Sequence, residues 1–560
     1  MLLPNGQTSV TEIRIEPIQE GYAKVDHIRQ NSYNPLTEVL AMSFWQKTRQ
    51  QRKTRDSNVK PISSSNLNNA NLALSPALEQ NLVFIKDSLG NPSDLIIRKI
   101  NLGSPEGTPA ALVYLDSMVN EDFVGKFILE PLLPVLSKPG TDTEDSHYRF
   151  VKQTLNNYFR LGSIEEETVR EQIVSRLVKG NAVFLLDDMA KALILEIKGW
   201  VTRNIEEPST EILVRGPREG FTESLATNIM LLRRRLATPH LRLKSFILGS
   251  ETQTKIVMAY LENTAPPQLI KEVTRKLDNI QEEAILESSF IQERLEDNPW
   301  SPFPTIDYTE RPDNIAASLL EGRVAILTDG SPIALRLPVV FTDFFQSPED
   351  FYDRYLIATF ARWLRLFALL ATLLVPSLYV AITSFHPQML PFTLLLTFAA
   401  AREAVPFPTG VEALLMEFTF EFLREAGIRM PRPLGQAVSI VGALIVGEAA
   451  IQAGLVSPAT VIVVAFTAIA SFLLPHSEIA AVVRFLRFPF LALAGVLGLY
   501  GVALGLFSLH LHILSLRSFG FPYFTPIAPR SANLWSSVAV RLPMSKPIFK
   551  DSIFRRRDLP

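Results

Sequence analysis

The chain has 560 residues, 47% hydrophobic and 20% charged, with a formal net charge of -2, so it is too long for a single core and has no basic excess of the kind that binds nucleic acid. Its mean hydropathy of +0.16 averages a polar part with a greasy one, because charges are dense before Tyr355 and none lies between Leu366 and Ala401. Cysteine is absent, which excludes disulfides, thiolate metal sites and cysteine nucleophiles.

Met1 to Ala41 has no basic, apolar, small-residue leader and is interrupted by Pro4, Pro17 and Pro35, so the polar half is expected on the cytoplasmic side. The Ser/Asn run Ser63 to Asn69 offers too little apolar surface to offset chain entropy, and residues 1–74 are expected to be flexible. Within them Lys47, Arg49, Arg52, Lys53 and Arg55 form either a solvated charge run or a lipid-surface contact.

Residues 75–345 alternate helical and strand patterns and contain an internal repeat. Leu95 and Leu102-Gly103-Ser104 recur 146 residues later as Leu241 and Leu248-Gly249-Ser250, and Tyr114-Leu115-Asp116 recurs as Tyr260-Leu261-Glu262. Gly180 to Leu195 recurs 142 residues later as Gly322 to Leu337. Blocks in one order at nearly constant spacing predict two duplicated α/β subdomains, 75–205 and 206–345. In each, an amphipathic helix (Ala77 to Leu89; Thr222 to Leu236) leads to two strands, a carboxylate (Asp116; Glu262) and a helix. A closing hairpin follows (Asn181 to Glu196; Arg323 to Leu337), with Asp329-Gly330 as a turn signal. Two such lobes resemble ligand-binding clamshells at the level of fold, and a duplicated assembly scaffold fits the same pattern.

Few residues here invite chemistry. Arg215-Gly216-Pro217-Arg218, between a predicted strand Glu211 to Val214 and the helix from Thr222, is a candidate anion-binding turn through Arg215, Gly216 and Arg218, or an ordinary strand-to-helix turn. Asp187-Asp188, and Asp307 with Glu310, have no nucleophile or histidine beside them, and the seven histidines show no metal-ligand spacing. Neither enzymatic activity nor a cofactor is expected. Trp300-Ser301-Pro302-Phe303-Pro304, after a predicted helix Glu282 to Leu295, is either a linker packing its own aromatics or a contact pad for a neighbouring subunit.

Residues 346–516 read as an α-helical polytopic membrane domain. Apolar runs 366–385, 434–455, 457–475 and 485–516 are long enough to span, and Arg354, Arg362 and Arg365 place the start of the first one inside. The elements 388–402 and 410–426 are too short or too charged for a lipid-facing span. Glu412, Glu417 and Glu421 are accordingly candidate pore or vestibule residues, or the wet face of an interfacial helix. Glu448, alone among apolar neighbours, is expected to face a helix, a subunit or a pore rather than lipid. Gly495, Gly498, Gly501 and Gly505 make a stripe suited to close helix packing. The tail 517–560 is basic, so it is expected inside, which requires an even number of crossings: four, or six if 388–430 takes part.

The string Pro431-Arg432-Pro433-Leu434-Gly435-Gln436-Ala437-Val438-Ser439-Ile440-Val441-Gly442-Ala443-Leu444, with Glu448-Ala449-Ala450 and Ala453 to Pro458, closely resembles the A subunit of spore germination receptors, the GerA family. Further likeness lies in Asn298-Pro299, Tyr308-Thr309-Glu310-Arg311-Pro312-Asp313 and Glu321-Gly322-Arg323-Val324 to Asp329-Gly330-Ser331-Pro332, over roughly residues 75–515. The resemblance implies a nutrient-sensing receptor in the spore inner membrane. Its partners would be a permease-like B subunit, a C lipoprotein and further copies of the chain, in contact with membrane lipid. The A subunit would oligomerise into a ligand-gated ion channel passing monovalent cations. Secondary transport by the chain, or a non-conducting scaffold, are the alternatives; transporters commonly duplicate their membrane helices, whereas the visible repeat is in the polar half.

Overall fold

The computed structural model describes residues 73–102, 108–132, 144–158, 163–197, 207–208, 210–211, 213–429, 445–530, 538–541, 543 and 553–555. The basic run Lys47 to Arg55, the Gly103-Ser104 pair, the string 431–444 and most of the first 74 residues lie outside them.

Strict alternation along the strands sorts side chains to two faces. Helix α1 (Leu78–Leu89) precedes strands β1 (Leu95–Leu102) and β2 (Thr108–Leu115); α2 (Glu144–Tyr158), β3 (Ile164–Glu167), α3 (Arg170–Val178), β4 (Ala182–Leu186) and β5 (Ala192–Leu195) follow. They form an antiparallel sheet in the order β1-β2-β4-β5-β3. Ala111, Val113, Val183, Leu185 and Ile194 pack beneath α1 and α3, while Leu112, Tyr114, Phe184, Leu193 and Leu195 meet Val151 and Leu155 of α2 on the opposite face. Leu74 donates its N–H to the Thr168 carbonyl at 2.9 Å, so the ordered lobe begins slightly before residue 75.

A second sheet is built from α4 (Leu225–Arg235), β6 (Leu241–Leu248), β7 (Thr254–Leu261), α5 (Pro267–Asp278), α6 (Ser288–Leu295), β8 (Asp307–Thr309), α7 (Pro312–Leu320), β9 (Val324–Thr328) and β10 (Ala334–Leu337). Its order is β6-β7-β9-β10-β8. Leu95 pairs with Leu115, and Leu241 with Leu261; Ala182 pairs with Leu195, and Val324 with Leu337. Side chains repeat as well. Asn81 brackets the Ser75 backbone (N–H to Oδ1 3.0 Å, Nδ2 to the carbonyl 2.7 Å), and Asn228 brackets Thr222 (2.8 and 2.6 Å). Asp187 accepts the Leu78 N–H at 2.7 Å and Asp329 accepts that of Leu225 at 3.2 Å. Asp187, a candidate acid or base by sequence, is therefore a helix cap.

The lobes are joined by Asp94 and Arg233, 5% and 1% exposed. Arg233 donates to both carboxylate oxygens, at 2.6 and 2.7 Å, and Ser117 adds a bond at 3.2 Å. Gly90 ends α1 with φ +69°, where an added Cβ would fall 2.3 Å from Arg242 Nε; only glycine admits this guanidinium, which reaches the Ser88 carbonyl from lobe two.

Two local expectations fail. Residues 211, 213 and 214 are not in a strand, because the Val214 N–H is taken by Glu349 at 2.8 Å and the sheet edge is occupied by β8. The helix expected from Glu282 starts only at Ser288. Before it, the Glu282 and Glu283 carbonyls accept the N–H groups of Ser250 and Glu251, and Glu287 caps the helix through the Ser289 N–H at 2.6 Å.

Beyond the sheets come α8 (Tyr355–Phe385), α9 (Phe392–Arg402), α10 (Thr409–Arg429), a helix over 445–452, α11 (Pro458–Ser471), α12 (Ser477–Leu497) and α13 (Leu499–Ser515). Among the described residues, α8 and α12 are long and apolar enough to cross a membrane; α9, α11 and α13 are shorter apolar helices. Gly498, at φ +63°, splits the run 485–516 that reads as one span. A Cβ there would fall 2.9 Å from Phe385, and one at Gly501 would fall 2.1 Å from the Leu493 carbonyl. Gly505 faces Phe490, so α13 folds back antiparallel on α12. Helix α10 is also antiparallel to α12, with Gly410 near Gly495 and Glu421 near Arg484. The predicted span 434–455 lies mostly outside the described residues. After α13, β11 (Arg517–Ser518) and β12 (Phe521–Pro522) return to lobe two, where Ser518 accepts the Val339 N–H at 3.1 Å and donates to the Thr305 carbonyl at 2.7 Å.

Candidate coupling interface between sheet and helices

Three short pieces of chain meet where lobe two touches the helices: β8 with the motif that follows it, the linker 338–354, and the turn 472–478 between α11 and α12. Val339, Phe344 and Leu474 from these pieces form one core with Phe303, Ile479, Leu516 and Tyr523 beside them and with Leu369 and Leu373 of α8. Phe341 stacks edge-on against Phe345 with centroids 5.1 Å apart and lies 6.2 Å from Tyr523. Burying this apolar surface fixes the approach of the two halves, and polar groups trapped in it must find partners.

Asp307, at the start of β8 and 1% exposed, is the hub. One carboxylate oxygen binds Arg336 of β10 and the other lies 3.3 Å from Nδ1 of His476, at the foot of α12. His476 Nε2 faces the Gln346 carbonyl at 3.3 Å and its ring meets Phe344 edge-on at 5.4 Å. Both ring nitrogens face acceptors, so only the doubly protonated ring satisfies both. Next door, Tyr308 bonds Ser477 at 2.9 Å and Gln292 donates to Glu478 at 3.1 Å. Thr309 donates to Glu211 at 2.6 Å, and Arg311 reaches the Pro217 carbonyl at 2.7 Å and Asp313 at 3.1 Å. Tyr352, from the linker, donates to the same Asp313 oxygen at 2.6 Å. Tyr308 to Asp313 is thus a clasp between sheet and helices.

Three more ion pairs flank the hub. Arg323 forks onto Asp343 at 2.7 and 3.0 Å, and Asp350 accepts from Arg362 and Arg365 of α8, each at 2.8 Å. All these carboxylates are buried, which makes each bond strong and each loss costly.

Burial pushes the Asp307 carboxyl up, but the charges of Arg336 and His476 override it and hold it well below the usual carboxylate range. Burial pushes His476 down, and the Asp307 carboxylate outweighs this and raises it above 6.5. For Glu211 burial wins, lifting its carboxyl to about 7 despite the Thr309 bond. The signs follow by linkage. Asp307 contributes stability above its ordinary value that is lost only as pH falls through the depressed one. His476 contributes stability fully present below 6.5 and lost as pH rises through its raised value. Glu211 holds a proton up to about 7 that the unfolded chain releases near 4.5, so it also favours the lower pH. Thermal unfolding of the full chain is expected to show stability falling as pH rises from about 5 to about 8, with His476→Asn flattening the slope. A profile rising across that window contradicts the assignment.

The other sequence-predicted sites lie elsewhere. Arg215 and Arg218 are exposed, and Gly216 lies beside Tyr352; Arg218 sits 3.9 Å from Glu207, and the turn's backbone is engaged by Glu349 and Arg311. Glu310 accepts the Thr210 N–H at 3.3 Å. Glu412 and Glu417 are fully buried within the chain. Glu412 takes the Ser457 N–H, and Glu417 faces Arg487 at 2.7 Å. Glu421, partly exposed, faces Arg484 at 3.3 Å. Glu448 is exposed on this chain and bonds Gln452 at 3.2 Å. In the Trp300 segment Phe303 is 3% exposed and Trp300 99%. Among the described residues no group of three His, Asp or Glu is placed to hold a metal ion. His476 and Arg336 escape sequence reasoning, since one is an isolated histidine and the other an arginine inside a buried strand.

Comparison with known proteins gives a consistent neighbourhood. The family model described as Bacillus/Clostridium GerA spore germination protein matches residues 83–552. Spore germination protein KA of Bacillus subtilis is 43% identical over 470 residues, 84% of this chain and 85% of that protein. Spore germination protein GerLA of Bacillus cereus is 40% identical over 481 residues, 85% and 96% of the two chains. Spore germination protein A1 of Bacillus subtilis is 39% identical over 471 residues, 84% and 95%. The crystal structure of the N-terminal domain of the A subunit of the Bacillus megaterium spore germinant receptor GerK3 aligns with a TM-score of 0.37 at 30% identity, over 48% of this chain and 97% of that one.

Proposed function

The chain belongs to the Bacillus/Clostridium GerA spore germination family, and on that premise we propose that it is the A-type subunit of a nutrient-sensing receptor in the spore inner membrane, acting as part of a ligand-gated ion channel. Its partners in this reading are a permease-like B subunit, a C lipoprotein and further copies of itself. The observation that carries the reading is the buried Asp307–His476–Arg336 hub. It ties a sheet lobe to the turn between two apolar helices, so a displacement of either half is felt by the other. The matching registers and the paired Asn81 and Asn228 brackets support descent of the two lobes from one duplicated unit.

In this reading the helical part is polytopic. Helix α8 starts beside lobe two and α13 returns to it, which supports an even number of crossings. The lobes and the returning tail then share the cytoplasmic side. Glu412 and Glu417 hold helices together, and the exposed Glu448 is left for a neighbouring copy or the conduction path.

The test is ion flux from liposomes holding the assembled receptor. Germinant-dependent release of monovalent cations is expected, and Glu448→Leu is expected to reduce it about tenfold or to dissociate the oligomer. Absence of flux from intact complexes marks a scaffold, and dependence on a co-substrate gradient marks a transporter.

A further inference from the structure

Besides its hub, the molecule holds a second cluster of buried charges, whose ion pairs leave several donors unmet. On α10, Glu417, Glu421 and Arg424 are spaced four and three apart, and on α12 Arg484 and Arg487 are three apart, so each set shares one helix face. The faces meet. Arg487 Nη2 lies 2.7 Å from Glu417 Oε2 and Arg484 Nε lies 3.3 Å from Glu421 Oε1. Arg424 lies over the Phe472 ring, 5.2 Å from its centroid, and forms no ion pair among the described residues. Three guanidinium groups therefore face two carboxylates, leaving one positive charge in excess.

The donors are also in excess. Arg487 is 1% exposed, yet its Nε and Nη1 are buried with no hydrogen-bond partner, and so are Nη1 of Arg484 and Nη1 of Arg424. Both oxygens of Glu417 and Oε2 of Glu421 likewise lack a hydrogen bond, the Arg487 contact being an ion pair of poor angle. Unmet guanidinium donors in an apolar setting are costly, and a planar fork of N–H groups matches a tetrahedral oxyanion. Arg484 and Arg487 are seven and ten residues beyond Ser477, roughly 10–15 Å along the helix from the sheet-side end. That is well inside a hydrocarbon core about 30 Å thick. Phe422, Phe418 and Phe485, 71%, 44% and 64% exposed, flank the cluster with apolar surface.

We propose that Arg424, Arg484 and Arg487 form a phosphate-binding site between α10 and α12, filled either by the headgroup of a phospholipid or by a free phosphate. The bound group supplies acceptors to the four orphan donors and offsets the surplus charge, and so fixes the α10–α12 contact.

The experiment uses the full-length chain, delipidated in a maltoside detergent, and follows its thermal unfolding. Sodium phosphate is titrated against sodium chloride at matched ionic strength, and phosphatidylglycerol against a phosphate-free diglucosyl diacylglycerol. A saturating rise in Tm with phosphate identifies a free anion as sufficient; a rise with phosphatidylglycerol alone identifies the headgroup, and both outcomes support the site. Arg424→Gln, which breaks no ion pair, is expected to weaken the response about tenfold by removing one charge-assisted bond. The proposal is overturned if neither compound moves the wild-type Tm more than its control. It is equally overturned if Arg424→Gln and Arg484→Gln respond as the wild type does.

Discussion

Asp307→Ala is expected to lower the unfolding free energy by about 3–5 kcal/mol and to uncouple the sheet lobe from the helices. The carboxylate balances Arg336 and His476 together, so its removal leaves the Arg336 guanidinium buried without its counter-charge and takes away the group that holds the His476 proton. Water has little access to repair this, because Asp307 is 1% exposed and Phe344 meets the His476 ring edge-on. The measurement is thermal or denaturant unfolding of the full chain, paired with germinant-triggered flux. The double exchange Asp307→Leu with Arg336→Leu is expected to recover much of the stability, since it removes charge and counter-charge together, but not the flux. Full flux in a destabilised Asp307→Ala receptor would mean that the hub only holds the fold.

Asp94→Ala is the second change of that size, about 3–5 kcal/mol, and it acts on a different contact. Arg233 then loses the acceptors of both its short bonds while remaining 1% exposed. The helix that carries it packs on Leu115 and Met118 of lobe one, so the loss is felt at the joint between sheets and much less inside either core. Limited proteolysis is expected to cut first between the lobes, and unfolding to divide into two transitions. A single transition at the wild-type midpoint would show that apolar contacts alone hold the joint.

Much of the sheet architecture is local in origin and therefore legible in the chain. The hairpins Asn181 to Glu196 and Arg323 to Leu337 each place two short, buried and mainly apolar runs around a tight turn, with Gly330 at φ +82°, and they pair as β4–β5 and β9–β10. The repeat is visible because its registers are kept by the same few residue types at the same spacing. Likewise the string Tyr308 to Asp313 stands out as a family signature before its bonds to Ser477, Glu211, Pro217 and Tyr352 are known.

Other features depend on partners far away in the chain. Strands β3 and β8 have four and three residues, too few to leave a period, and exist because a sheet edge was free to receive them. The run 485–516 is mainly apolar, with Arg487 and two histidines, and reads as one span, yet it reverses at Gly498, where Phe385 and Leu493 occupy the space a straight helix with side chains would need. Composition alone established that Glu412, Glu417 and Glu421 sit in a greasy half; which way they face was decided by the antiparallel approach of α12, which carries Arg484 and Arg487 to the same level. For Asp307, Arg336 and His476 the case is sharper. Charge is read from the letters, but a buried charge is tolerated only where an opposite one arrives within about 4 Å, and residues separated by 29 and 169 positions are brought that close only by the finished fold.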